Sequence, residues 1–211
     1  MGRDAKAQRK AALKRKRREH RVQEARAQLR AAKAGGGGKA ILSRLEELPI
    51  HECVVSRGWE ERGLAHVLLA RRAPGGALVV GGYYVDTLCT GLKDTALMNE
   101  LSEEEYRERV KPNIFNDPVE FEECAPGTAR ALVEGAVAFA ASFGLKPNKR
   151  WPESKRLWEG IEADPGTIAF GRNGKPCLIV RGRENVSGVR ARLDRTVGAG
   201  NYLVEETEAL S

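Results

Sequence analysis

The sequence predicts an α+β domain with a largely antiparallel sheet in the order βββ-αα-ββ-α and helices packed on it. A basic arm, helical or disordered, precedes it. Three observations carry this expectation. Apolar runs at Ile50–Ser56, Leu64–Arg72 and residues 77–86 are joined by short turns, as in an antiparallel meander. An alanine-rich amphipathic run follows Pro126. The charge is also divided sharply along the chain. Residues 1–40 hold 14 Lys and Arg against Asp4, Glu19 and Glu24, a net of +11 within a total of +7, which leaves the remainder at −4.

Taken in order, residues 1–34 are a basic N-terminal arm built from Ala, Lys, Arg, Gln, Glu and Leu, with high helix propensity. Their large apolar residues, Leu13, Val22 and Leu29, are too sparse for a coiled-coil seam or a membrane-binding face. Lys10, Lys14, Arg15, Lys16, Arg17, Arg18 and Arg21 are the candidate nucleic-acid-binding residues, directed at RNA or DNA phosphate backbone. No aromatic residue lies among them, so the arm reads backbone charge and not bases. A solvated tail or a basic targeting peptide are the competing readings of the same run. Residues 35–40 are a glycine linker that uncouples the arm, residues 41–204 one globular domain, and residues 205–211 an acidic tail.

Within the domain, residues 41–48 form a short lead-in stopped by Pro49. The third strand is apolar on both side-chain sets, so it is covered on both faces or lies inside its sheet. Gly81 and Gly82 in its middle imply a bulge or a close backbone approach. Ser102 followed by Glu105 is a helix-capping signal. Pro126 opens the best helix, on which Leu132, Ala136, Phe139 and Phe143 share a face, and Gly144 with Pro147 closes it. Residues 152–161 carry Trp158 on a second helix. Residues 167–170 and 176–180 flank Asn173-Gly174 as a hairpin, and Val186, Val189, Leu193 and Val197 space a last helix.

The candidate catalytic residues are Asp86, Cys89, Lys93 and Asp94, delivered into a turn where the third strand stops, together with His51. A carboxylate beside an amine shifts both pKa values, and a thiol near a cation is activated. His51 and Cys53 alternate onto one strand face, and pairing of the first strand with the third would bring His51 to Cys89. Against these stands a structural reading, with Cys89 in the core and Lys93–Asp94 a surface pair. Trp151 and Trp158 among Lys149, Arg150, Lys155 and Arg156 offer base stacking, or else core packing beside a solvated face. Gly171 to Lys175 lacks the spacing of a phosphate loop and reads as the hairpin turn.

His20, His51 and His66 are scattered, and no cysteine or histidine spacing suits a metal, so neither metal nor cofactor is expected. Cys53, Cys89, Cys124 and Cys177 are widely spaced and read as reduced thiols in a cytoplasm. No apolar run approaches the roughly 18 residues of a membrane helix, so no membrane partner is expected. A protein partner is compatible with the charge division. Pro49, Glu52-Cys53, Gly63-Leu64-Ala65, Val85-Asp86, Cys89, Gly91, Lys93-Asp94, and the alanine-rich helix ending Gly144-x-x-Pro147 resemble an uncharacterised bacterial family. The resemblance implies no activity. Three functions remain: a nucleic-acid-associated protein docking through the arm, an enzyme working through the Asp86–Asp94 turn, or a protein-interaction domain with a solubilising tail. Limited proteolysis of the full chain should cut first at glycines 35–38; first cleavage inside residues 50–140 would contradict that boundary.

Overall fold

The computed structural model describes residues 44–116, 119–181 and 185–207. The arm residues Lys10, Lys14, Arg15, Lys16, Arg17, Arg18 and Arg21, and the glycine linker, lie outside them. The described chain is α+β, with a five-stranded antiparallel sheet and helices packed on it. A single 3-10 turn at Leu45–Glu47 leads in. β1 (Ile50–Ser56), β2 (Leu64–Arg72) and β3 (Leu78–Asp86) form the expected meander. The one-turn helix α1 (Trp59–Arg62) lies between the first two, and Gly63 ends it in the left-handed conformation.

β4 (Gly91–Leu101) extends the sheet beyond the expected three strands. Its apolar alternation is broken by charged residues, and its register against β3 shifts twice, between Leu78 and Val80 and between Tyr84 and Val85. A short β5 (Phe121–Glu123) closes the other side, giving the order β4-β3-β2-β1-β5.

The sheet is covered on both faces. On the first face lie α3 (Pro126–Ser142) and α4 (Trp151–Ser154), the latter continued as a 3-10 turn through Trp158. α3 buries Ala129, Leu132, Val133, Ala136 and Ala140, small enough for the helix to sit low on the strands. The second face is covered by α2 (Glu103–Glu105), a π-helical turn at Tyr106–Val110 and an irregular stretch to Asn116. Tyr106 and Ile114 pack there on Val54, Leu68, Ala70, Leu78 and Val80. α2 starts as the sequence predicts: Ser102 Oγ accepts from the Glu105 N–H, and the Glu105 carboxylate accepts from the Ser102 N–H. This reciprocal cap is worth about 1 kcal/mol.

Gly81 and Gly82 serve close approach, since β3 pairs regularly with β2 across both. A Cβ at Gly81 would lie 2.7 Å from Leu157 Cδ2, and one at Gly82 would lie 2.9 Å from Ile114 Cδ1. The layers on both faces therefore touch the strand where it has no side chain.

Downstream, the Asn173-Gly174 turn forms as expected, with φ of 54° and 76° and a bridge between Arg172 and Lys175. Residues 167–170, however, are not a strand. β6 (Cys177–Arg181) pairs instead in parallel with β7 (Leu203–Thr207), which contains Glu205 and Glu206, placed by the sequence at the start of the acidic tail. α5 (Ser187–Thr196) is the crossover between them, and Val186, Val189, Leu193 and Val197 pack with it on Leu178 and Cys89. A parallel pair needs such a connection, whereas local turn chemistry predicts only the hairpin.

One buried charge ties the first face together. Arg71 on β2 is 3 % exposed. Its Nε donates to the Leu157 carbonyl at 3.0 Å, Nη1 to that of Leu48 at 2.7 Å, and Nη2 to that of Glu159 at 2.6 Å. The guanidinium thus fixes both the lead-in and the turn after α4 to the sheet. Arg71→Met should lower the unfolding free energy by about 3 kcal/mol, because three buried carbonyls lose their donors. An unchanged denaturant midpoint would contradict this role.

Candidate functional site

The end of β3 is built around the Asp86 carboxylate. Oδ1 accepts from the N–H groups of Leu88 at 2.8 Å and Cys89 at 3.0 Å. Oδ2 accepts from Thr90 N–H at 3.0 Å and Thr90 Oγ at 2.6 Å. Four donors occupy the lone pairs, and the side chain is buried. Asp86 therefore holds its own turn closed, and the chain leaves that turn through Gly91, whose φ is 69°. A Cβ at Gly91 would come within 2.7 Å of Ala140 Cβ and 2.8 Å of the Ala136 carbonyl oxygen, so the turn tucks under α3.

Immediately afterwards β4 bulges. Val85 pairs with Leu92 and Tyr84 with Asp94, which leaves Lys93 as the extra residue. The bulge brings the Lys93 ammonium to 5.8 Å from the centre of the Tyr84 ring. Tyr84 itself stacks on His66, with centroids 4.6 Å apart and planes 9° from parallel, and Phe115 lies 6.0 Å from each ring. Asp94 Oδ1 accepts from Thr95 N–H at 2.8 Å and from Asn148 Nδ2 at 3.1 Å. Lys93 and Asp94 thus lie on a strand, and Asp94 is engaged with the loop that follows α3.

Between this turn, that loop, β6 and the start of α5 lies a cleft of about 320 Å³. Leu92, Leu145, Leu178, Val186 and Val189 give it an apolar lining; Asp86, Thr90, Lys93, Lys146, Asn148 and Asn185 supply the polar groups. Asn148 Oδ1 accepts from the Arg150 N–H at 3.0 Å, and Asn185 Oδ1 from that of Ser187 at 3.1 Å, so both amides are held by their own backbone. The sequence reading found Asp86 and Lys93 but missed Tyr84, Lys146, Asn148 and Asn185. The signal for two of these was Pro147-Asn148 in a polar loop just past a helix-ending glycine.

Cys89 faces the core and not the cleft. It is fully buried with Leu178 and Leu193, and burial, then the nearby Asp86 charge, pushes its thiol up to about 12. Cys177, also buried, is raised to about 11 by burial and then by Glu205. Cys53 is raised by burial and then by Cys124, and Cys124, half-buried, is raised by burial and then by Glu122. None is a thiolate near neutral pH.

His51 lies at the far end of the sheet. β1 is flanked by β2 and β5, so it does not pair with β3, and His51 and Cys89 are not brought together. Nor do His51 and Cys53 share a face. The register of β1 shifts between Ile50 and Glu52, turning His51 toward Arg72 and Glu103, whereas Cys53 is buried opposite Leu69. Arg72 Nη2 donates to His51 Nδ1 at 2.8 Å and to Glu103 Oε2 at 2.6 Å. An arginine only donates, so in this arrangement Nε2 carries the histidine proton and donates to Glu103 Oε1 at 3.0 Å. Arg107, then Arg72, hold the Glu103 carboxyl down to about 2. Beside this group Glu52 accepts from Lys111 at 2.7 Å and from the Tyr106 hydroxyl.

Trp151 and Trp158 are both buried, with Lys155 5.8 Å from the Trp151 ring centre, so neither offers a face for stacking bases. Among the described residues no group of three or more His, Cys, Asp or Glu is placed to hold a metal ion, and no helix is long and apolar enough to cross a membrane. No protein-family model, curated protein or solved structure matches the chain. The chemistry of the cleft therefore rests on its own residues. With Asp86 saturated, Cys89 buried and the Asn148 amide donating to Asp94, the cleft sets Lys93, Lys146 and the Asn185 amide around an apolar pocket, an arrangement suited to an anion with a flat or apolar body. Alkylation of the native protein should label Cys124 first and Cys53, Cys89 and Cys177 slowly. Preferential labelling of Cys89 would restore it as a nucleophile.

Proposed function

We propose that the chain is a cytoplasmic nucleic-acid-associated protein, RNA before DNA, which docks on phosphate backbone through its basic N-terminal arm. The observation that carries the reading is the division of charge, +11 over residues 1–40 against −4 over the rest. Such an arm gains affinity by releasing counterions, independently of sequence, and a domain tethered to it works at raised local concentration. Four free cysteines suit a reducing compartment. The competing enzyme reading works through the Asp86–Asp94 turn, and the four hydrogen bonds to the Asp86 carboxylate and the burial of Cys89 weigh against it.

If the arm neutralises about six phosphates of single-stranded RNA, affinity should fall roughly 300-fold between about 50 and 200 mM salt. Replacing Lys14, Arg15, Lys16, Arg17 and Arg18 together by Ser should weaken binding at low salt and flatten that slope. Fluorescence anisotropy with a labelled RNA of mixed sequence measures both. A variant that keeps the wild-type affinity and slope would leave the arm as a solubilising tail and overturn the proposal.

A further inference from the structure

We infer that the cleft beside the β3–β4 turn is a site for one nucleotide unit, with its phosphate on Lys93 and Lys146 and its base against the apolar lining. The ligand class rests on the nucleic-acid reading above, but the site does not involve the arm. It gives the folded domain a contact with the base that the arm, lacking aromatic residues, does not make.

Four observations converge on it. The domain carries net negative charge, yet Lys93 and Lys146 both line this cleft, and Lys149 and Arg150 follow within the same loop. Among the described residues the lining holds one carboxylate, Asp86, and it is bound by four donors of its own turn, so its charge is spread over that turn before a ligand arrives. The bulge in β4 is what carries Lys93 to this position, and bulges commonly re-aim a side chain beside a functional site. The apolar part of the lining, from Leu92, Leu178, Val186 and Val189, belongs to three separate elements and forms a pocket, not a flat patch.

Size and polarity select among anions. At about 320 Å³ the cleft lies at the small end of ligand sites, which run from roughly 300 to 1,000 Å³. A bare phosphate would leave the aliphatic groups uncovered, and a long acyl chain would exceed the volume. A base and ribose would cover the aliphatic groups. Asn185, fixed through its Oδ1 atom, presents amide N–H donors suited to carbonyl or ring-nitrogen acceptors of a base edge, whereas the Asn148 amide donates to Asp94 and to the Lys93 carbonyl and braces the wall of the cleft.

The shared chemistry has two sources, a free nucleoside monophosphate or the 5′-phosphorylated end of a single strand. Calorimetric titration of the full chain with uridine and adenosine 5′-monophosphate tests the site, with ribose 5-phosphate and inorganic phosphate as controls. At least one nucleotide should bind about tenfold tighter than either control. Lys146→Glu, at an exposed loop position, and Lys93→Ala should each weaken that binding by about tenfold or more. The five-residue Ser variant of the arm should leave it within about twofold, although it loses polymeric RNA. A 5′-phosphorylated uridine tetranucleotide binding that arm variant far better than the mononucleotide assigns the strand end; equal binding assigns the free nucleotide; both support the site. Nucleotides binding no tighter than phosphate, unchanged affinity in Lys146→Glu, or loss of mononucleotide binding in the arm variant would each overturn the inference. None of these results alters the salt dependence by which the arm itself is judged.

Discussion

Two consecutive residues without side chains, Gly81 and Gly82, set the thickness of the domain. The space a Cβ would occupy on one face is taken by Leu157, and on the other by Ile114. A methyl group at Gly81 would meet the Tyr83 hydroxyl and the tip of Leu157, and one at Gly82 the tip of Ile114, so these side chains would have to shift, at a cost of about 1–3 kcal/mol. Tyr83, next along the strand, is fully buried, and its hydroxyl donates to the Ser154 carbonyl at 2.8 Å. That bond locates α4 over the same stretch of sheet on which Leu157 descends. The sheet is therefore gripped from both sides at its middle, and its ends are left to polar residues.

Those ends are handled by complementary means. Asp86, buried at one end of β3, is surrounded by N–H and hydroxyl donors; Arg71, buried near the other end of the sheet, is surrounded by carbonyls. Each charge is solvated by the backbone it organises, not by an opposite charge. A buried ion satisfied in this way stabilises loops more than it drives chemistry, because its hydrogen-bonding capacity is spent. This is also why the polar cluster at the end of β3 imitates a catalytic constellation in one dimension. A carboxylate, a thiol and an ammonium within eight residues are separated in space by a turn that directs Asp86 to its own amides, Cys89 to the core and Lys93 to the cleft.

Much of the fold was legible because its signals are local. The three meander strands, the Ser102–Glu105 cap, the Pro126 start of α3 and the Asn173-Gly174 turn each follow from neighbouring residues. What was not legible depends on partners distant in sequence. β4 hides its alternation behind a bulge and behind Glu100, which sits at a φ of 59°. β6 finds its neighbour about 25 residues later and in parallel, an arrangement no turn signal encodes. The cleft joins four stretches of chain, and only the one containing Asp86 and Lys93 announced itself. His51 shows the converse error. Strict alternation put it beside Cys53, and one irregular position at the start of β1 reversed it.

The small parallel pair of β6 and β7 has a consequence for the protein in concentrated solution. Among the described residues β7 has no second strand neighbour, and Leu203 and Val204 are 43 % and 39 % exposed on it. Such an edge is a template on which further strands can assemble. The next two residues are Glu205 and Glu206, and in an antiparallel self-pairing centred on Glu205 the carboxylates of two molecules would meet. Glu205 already holds Arg172 of its own chain at 3.3 Å, so neutralising that contact from outside would displace an existing one. The glutamates act as gatekeepers, keeping an open aliphatic edge from recruiting copies of itself.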